Sequence, residues 1–358
     1  QPTNTGTEPS VTDTSATAST ENGISNIGTE SVTITDTTVS DASTLITLNS
    51  NTTGVITASS VTEITGTASE LNTLLTAGND ITQFSEDSFS SLTTATVSDS
   101  TLSVDDLNGA INATINTVFS LSAGATINCS ITGGESAFTT LLGYENAGQV
   151  AISDQNITVD PGTTVNVDNA NLLNDTTTGT VTATIASSEV SILKLLRGTN
   201  AYTITIAPED AAVSASDLNA INALTTEAVD LTNVSSITSS SLEDLGTLAT
   251  AIGDSEFSNE TSLTTIAVSD TTIDATTLAS TIDSYDTING IATTGMTLAS
   301  GATINVDASE VTEMLADESA GRLTISDQQI TVTGAIAVST ANDLDGITGG
   351  IVTASIAT

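Results

Sequence analysis

The phrase LTTATVSDSTLSVDDL at residues 92–107 returns, slightly altered, as LTTIAVSDTTIDATTL at 263–278. The match extends on both sides. SAGATIN at 122–128 returns as ASGATIN at 299–305, AISDQNITV at 151–159 as TISDQQITV at 324–332, and GTVTATIA at 179–186 as GIVTASIA at 350–357. Two tandem copies of about 173 residues therefore cover most of the chain, and the fold must be one that can be built twice in succession.

A shorter period lies inside each copy. A β-favouring segment that ends on aspartate recurs at Asp36, Asp99, Asp154, Asp270 and Asp327, with TITIAPED ending at Asp210 in the matching place. Each subrepeat holds two halves of about 28 residues, a β-favouring segment such as TVTATIA or ATINVD followed by a helical one such as SSEVSILKLL or TASELNTLL. In GTASELNTLL, Thr67 is placed to N-cap, Glu70 follows three residues later, and Leu71, Leu74 and Leu75 form one apolar face. In ASEVTEML, Ser309 takes the cap and Val311, Met314 and Leu315 the face. Helices and strands this short do not persist alone in water, so they must stack on similar neighbours.

The expected fold is an elongated α/β repeat solenoid of eleven or twelve coils, with parallel strands and short helices; a right-handed parallel β-helix is the alternative. A row of small β-sandwiches fits less well, because hairpin turns are not spaced through the sequence. Hydrophobic residues make up 38% of the chain but aromatics only 2%. A thin core of Ala, Val, Ile and Leu suits stacked coils better than one large globular core. The expected organisation is a polar N-terminal extension over 1–28 that docks on a neighbouring subunit, and two solenoid blocks over 29–200 and 201–358.

With 43 Asp+Glu against 3 Lys+Arg and no His, the formal charge is −40. Such a surface repels nucleic acid and anionic membrane. Self-repulsion of this size is tolerable where salt screens it over roughly 10 Å or less, which points to a saline extracellular setting. Cys129 is the single cysteine and has no internal disulfide partner. The longest apolar patch, VSILKLL at 190–196, is far shorter than the roughly 20 residues of a membrane span. The chain opens on Gln1, which reads as a processed mature end or as a piece of a longer protein.

Candidate sites are few. Asp36, Asp99, Asp154, Asp270 and Asp327 would align in one column, which suits either calcium or a turn carboxylate that accepts backbone N–H bonds. The glycine-rich calcium nonapeptide and the EF-hand loop are both missing. Seven Asn-x-Ser/Thr triplets, at Asn51, Asn112, Asn128, Asn156, Asn174, Asn233 and Asn259, are no more than so Ser/Thr-rich a chain yields by chance. No histidine base or serine-nucleophile motif accompanies the hydroxyls, and the paired carboxylates Asp105 and Asp106 lack aromatic surface on which a sugar would stack. Lys194 and Arg197 lie one turn apart, placed for local salt bridges.

VSDTTIDATTL, TGTVTATIA and GTASELNTLL resemble the Thr/Ala/Asp-rich repeats of giant surface and secreted proteins of marine cyanobacteria, and of fibre-like proteins of their phages. The resemblance spans about residues 29–358. It implies an extracellular structural, adhesive or appendage protein, at a cell or virion surface, and carries over no functional residues. The expected function is a non-enzymatic subunit of a head-to-tail polymer (filament, sheath or virion appendage); the alternative is an adhesin segment that meets surface glycans or the cell envelope. For the polymer, the apolar end at Ile351, Val352, Ile356 and Ala357 is expected to pair with Ile24, Ile27, Val32 and Ile34 of the next subunit, the polar residues 1–18 lying along a neighbour.

Overall fold

The computed structural model describes residues 11–13, 29, 31–76, 83–114, 117–129, 137–260, 263–288 and 295–357. The chain divides into two compact units, Gln1–Thr164 with Leu172–Ala183, and Val165–Asn171 with Thr184–Thr358. Both are α/β, built from parallel sheets and short helices.

In the first unit Val11–Asp13, Val32–Ile34 and Ile56–Thr57 lie side by side, all parallel. A second sheet runs Thr38–Val39, Glu63–Gly66, Thr94–Val97, Val118–Leu121. A third runs Thr101–Ser103, Thr126–Cys129, Asn156–Val159, then Val181–Ile185 through Val181 and Thr182. The second unit is also built of parallel sheets. Its two larger sheets run Ala212–Val213, Ser236–Ser240, Thr265–Val268, Met296–Thr297, Leu323–Thr324, and Thr272–Asp274, Thr303–Asp307, Gln329–Ile336, Val352–Ile356, and a small one pairs Val229–Asp230 with Phe257–Ser258. Parallel neighbours cannot be joined by a tight hairpin, so a crossover must separate them, and the short helices supply it. Ala68–Leu75, for example, sits between the paired strands Glu63–Gly66 and Thr94–Val97.

The two copies of the opening phrase adopt the same structure. Val97 and Val268 end strands, Leu102 and Ile273 lie within the next strands, and Leu107 and Leu278 lie on the helices Val104–Asn112 and Ala275–Thr287. All six side chains are buried. Ser103 and Asp274 cap the two helices, each accepting a backbone N–H from the first turn. The SAGATIN and ASGATIN turns also coincide, with Ala125 N donating to Ser122 O and Ala302 N to Ala299 O. Gly124 and Gly301 take φ of +68° and +65°, the left-handed region that a side chain resists.

A further repeated device is less visible in the sequence. Thr177 Oγ1 donates to the carbonyl of Gln155 at 2.5 Å and accepts from Gly179 N at 2.9 Å. Thr348 does the same to Gln328 and Gly350, at 2.6 and 3.0 Å. The glycines leave no room: a Cβ on either would lie 2.3 Å from the glutamine carbonyl oxygen. Thr52 with Gly54 shows the same Thr-to-Gly bond at 2.9 Å.

Several local expectations need correction. The capping box of Thr67 and Glu70 is formed, and Leu71 and Leu74 are buried, but Leu75 is only half-buried. Ser309 does not cap its helix. Asp307 takes both its N–H and its hydroxyl in a local turn, so Val311–Ser319 begins after Glu310 without a side-chain cap. The helix read from SSEVSILKLL is short, Val190–Leu193. Most of the few aromatics are core pieces: Tyr202, Phe119 and Phe138 are almost fully buried, and the Tyr285 hydroxyl donates to Leu245 O, whereas Phe84, Phe89 and Tyr144 are half-buried. Burial raises the Tyr285 phenol well above its ordinary pKa, so it stays protonated.

Candidate functional site

The recurring aspartates can be placed from the helix ends upward. The first N–H groups of a helix have no partner within it. In Ala68–Leu75, Thr67 satisfies the N–H of Glu70, while the N–H of Ala68 donates to Asp99 Oδ2 at 2.6 Å, 31 residues away. In Leu242–Gly253, Ser241 satisfies Asp244 N, and Leu242 N donates to Asp270 Oδ2 at 2.7 Å. Asp210 accepts in the same way from Val190 N, and Ser240 Oγ from Ala215 N at 2.8 Å. The starts at Ala68, Ala215 and Leu242 are thus held by one cap of their own and one from the following segment, while Val190 has only the latter. A carboxylate there also suits the positive end of the helix dipole.

The other members of the series behave differently. Asp154 accepts from Gln155 Nε2 and Asp327 from Ser300 Oγ, each at 2.5 Å, and Asp36 is half-buried beyond strand Val32–Ile34. Hydrogen bonds from Ser300 and Gly301 hold the Asp327 carboxyl below the usual range. Asp274 and Asp307 are lowered by backbone N–H bonds from Thr277 and Ser309. Such depressed carboxyls stabilise the fold above the ordinary Asp pKa, and that contribution is lost as pH falls through their folded values. Among the described residues no three His, Cys, Asp or Glu side chains are grouped to hold a metal ion. Asp105 and Asp106 occupy the first turn of their helix, where Asp106 accepts a long hydrogen bond from Asn72. Lys194 pairs with Asp217, 23 residues on, rather than with an acid of its own turn.

Replacing Asp270 by Ala is expected to cost about 1 kcal/mol, the usual value of a lost N-cap, while Asp270→Asn retains most of it. Urea unfolding checks this; equal losses in the two variants would show that the charge, not the acceptor, matters.

The residues expected at the self-association ends divide. Ile24 and Ile27 lie outside the described residues. Val32 and Ile34 are not at an edge: they are buried, with Val11–Asp13 on one side and Ile56–Thr57 on the other. Among the described residues Val11–Asp13 is the outer strand of that sheet. Among the described residues Val352–Ile356 is the outer strand of its sheet, Val352 is half-buried, and Ile351 and Ile356 are 69% and 45% exposed. Ile351 O and Ala357 N bond inward to Ile330 N and Ile336 O. By strand alternation Val352, Ala354 and Ile356 therefore turn their N–H and C=O groups outward.

No helix among the described residues is long and apolar enough to cross a membrane. Comparison of the sequence with family models and with curated proteins, and of the fold with solved structures, finds no match.

Proposed function

We propose that the chain is a non-enzymatic, extracellular structural protein whose strand–helix segments are the coils of an α/β solenoid, and whose copies join through sheet edges into a filament, sheath or appendage. The parallel pairing supports the solenoid: successive partners are separated by 20 residues at Ile336↔Ile356 to 31 at Glu63↔Thr94, about one subrepeat half. On this reading Asp99, Asp210 and Asp270 are caps that tie one coil to the next, rather than members of a calcium column.

The observation that carries self-association is the outward-facing edge of Val352–Ile356, flanked by exposed Ile351 and Ile356. An unpaired strand edge with aliphatic side chains is a template for another strand. Its partner is the outer strand Val11–Asp13 of a second copy, where Val32 and Thr33 already pair with Val11 and Thr12 as Ile330 and Thr331 do with Val352 and Thr353. A contact between unlike ends propagates instead of closing. The charge of −40 opposes it, so salt promotes it.

Ala354→Pro removes an outward N–H and leaves the inward bonds in place. In sea-water salt, sedimentation and electron microscopy are expected to show elongated assemblies for the intact chain and their loss in this variant, with unfolding little changed. If Ala354→Pro assembles like the intact chain, the edge is not the joint. If the intact chain stays monomeric at high concentration, the function falls to the adhesin reading, in which further coils of a longer protein cover the same edge.

A further inference from the structure

Strands Thr272–Asp274, Thr303–Asp307, Gln329–Ile336 and Val352–Ile356 send alternate side chains to opposite faces of their sheet. Ile273, Ile304 and Ile330 take the buried face. On the other face the pairing places Thr272, Thr303 and Gln329 in one rank, and Asn305, Thr331 and Thr353 in a second. Thr303 and Thr331 are half-buried and the other four exposed, and none of the six makes a side-chain hydrogen bond among the described residues. Hydroxyls at strand starts are committed instead: Thr62, Thr93 and Thr264 donate to the carbonyls of Thr37, Thr62 and Ser235.

The first unit carries the same face. Thr101 and Thr126 pair as Thr272 and Thr303 do, and Asn128, Thr158 and Thr182 form the second rank, at the sequence positions that match Asn305, Thr331 and Thr353. These five side chains are likewise without a hydrogen bond among the described residues. On a chain of charge −40 the ranks are also close to neutral. In the second unit Asp274 is engaged by Thr277 N and Oγ1, and Asp307 by Ser309 N and Oγ.

We propose that these two faces bind ice. A hydroxyl or a carboxamide both donates and accepts, as each water of a crystal does, whereas a carboxylate only accepts. Threonine is stiff at χ1, so its hydroxyl is held in place before binding and little freedom is lost on contact. Paired strands lie about 4.8 Å apart and alternate residues about 6.6 Å along a strand, which makes a two-dimensional net comparable in scale to the oxygen repeats on a prism face of ice. No aromatic ring stands in either rank, so a sugar has nothing there to stack on. The faces are those of single copies and use neither sheet edge, so this function does not depend on self-association.

Ice grown in solutions of the full chain, against buffer of matched salt, tests this. The intact protein is expected to shape the crystals and to separate their growth and melting temperatures. Thr303→Tyr with Thr331→Tyr obstructs one face and Thr126→Tyr with Thr158→Tyr the other; each pair weakens both effects, and all four changes together abolish them. Thr312→Tyr, on the exposed side of helix Val311–Ser319, leaves them intact. So does Ala354→Pro, which separates failure of the sheet-edge joint from failure of this face. Circular dichroism checks folding, and if the fourfold variant unfolds, Thr303→Lys with Thr126→Lys, one change per face, is read in its place. Ordinary unshaped ice with the intact chain, undiminished activity in the folded face variant, or sedimentation with crystalline cellulose but not with ice would overturn the proposal.

Discussion

Leu107→Asp is expected to lose about 3–5 kcal/mol of stability, and Leu278→Asp a similar amount. Both leucines are almost fully inaccessible, at 0% and 1% exposure, on helices that follow the repeated strand pair. An aspartate there either keeps a charge with no partner or takes up a proton at a large cost, and it also forfeits the packing of a leucine. With so few aromatics, the core consists of many small aliphatic contacts. Urea unfolding followed by circular dichroism reads both variants. An unchanged midpoint in either would mean that the 92–107 and 263–278 phrases do not hold equivalent core positions.

The second large effect concerns backbone approach. Gly179→Ala and Gly350→Ala each place a Cβ 2.3 Å from a glutamine carbonyl oxygen, a distance no real contact tolerates. The opposing atom is main chain, held by a threonine hydroxyl, so relief requires a strand to shift. A loss of roughly 1–3 kcal/mol follows, the ordinary range for overpacking. Gly301→Ala is the control: nothing lies within 4 Å of its Cβ, so its cost, about 1 kcal/mol, comes from φ of +65° alone. If Gly179→Ala and Gly350→Ala unfold at the parent midpoint while Gly301→Ala does not, the close approach of strand to turn is not present in solution.

Local signals were read well where the physics is local. Thr67, Glu70, Leu71 and Leu74 stand in one turn or two, so capping and amphipathicity are legible without knowledge of any neighbour. Ser309 failed because a competing local bond, from Asp307, took the same group, and the pattern rule does not weigh that competition. The threonine device was available in the sequence as Thr-x-Gly before each of the strands Val181–Ile185 and Val352–Ile356, but its partner carbonyl lies 22 and 20 residues back.

The sequence by itself determined that segments alternate between strand and helix, which face of each is buried, and that residues in matching phrases share an environment. These follow from side-chain periodicity and from like sequence meeting like surroundings. Only the tertiary structure decided partnership. Asp99 reaches the helix start at Ala68, Val32 gains a strand on either side, Lys194 pairs with Asp217, and Arg322 bridges Asp286 and Asp317 on two helices. Each joins segments whose spacing varies along the chain. Register and offset between segments are therefore set by packing and by strand pairing, quantities that no single segment encodes.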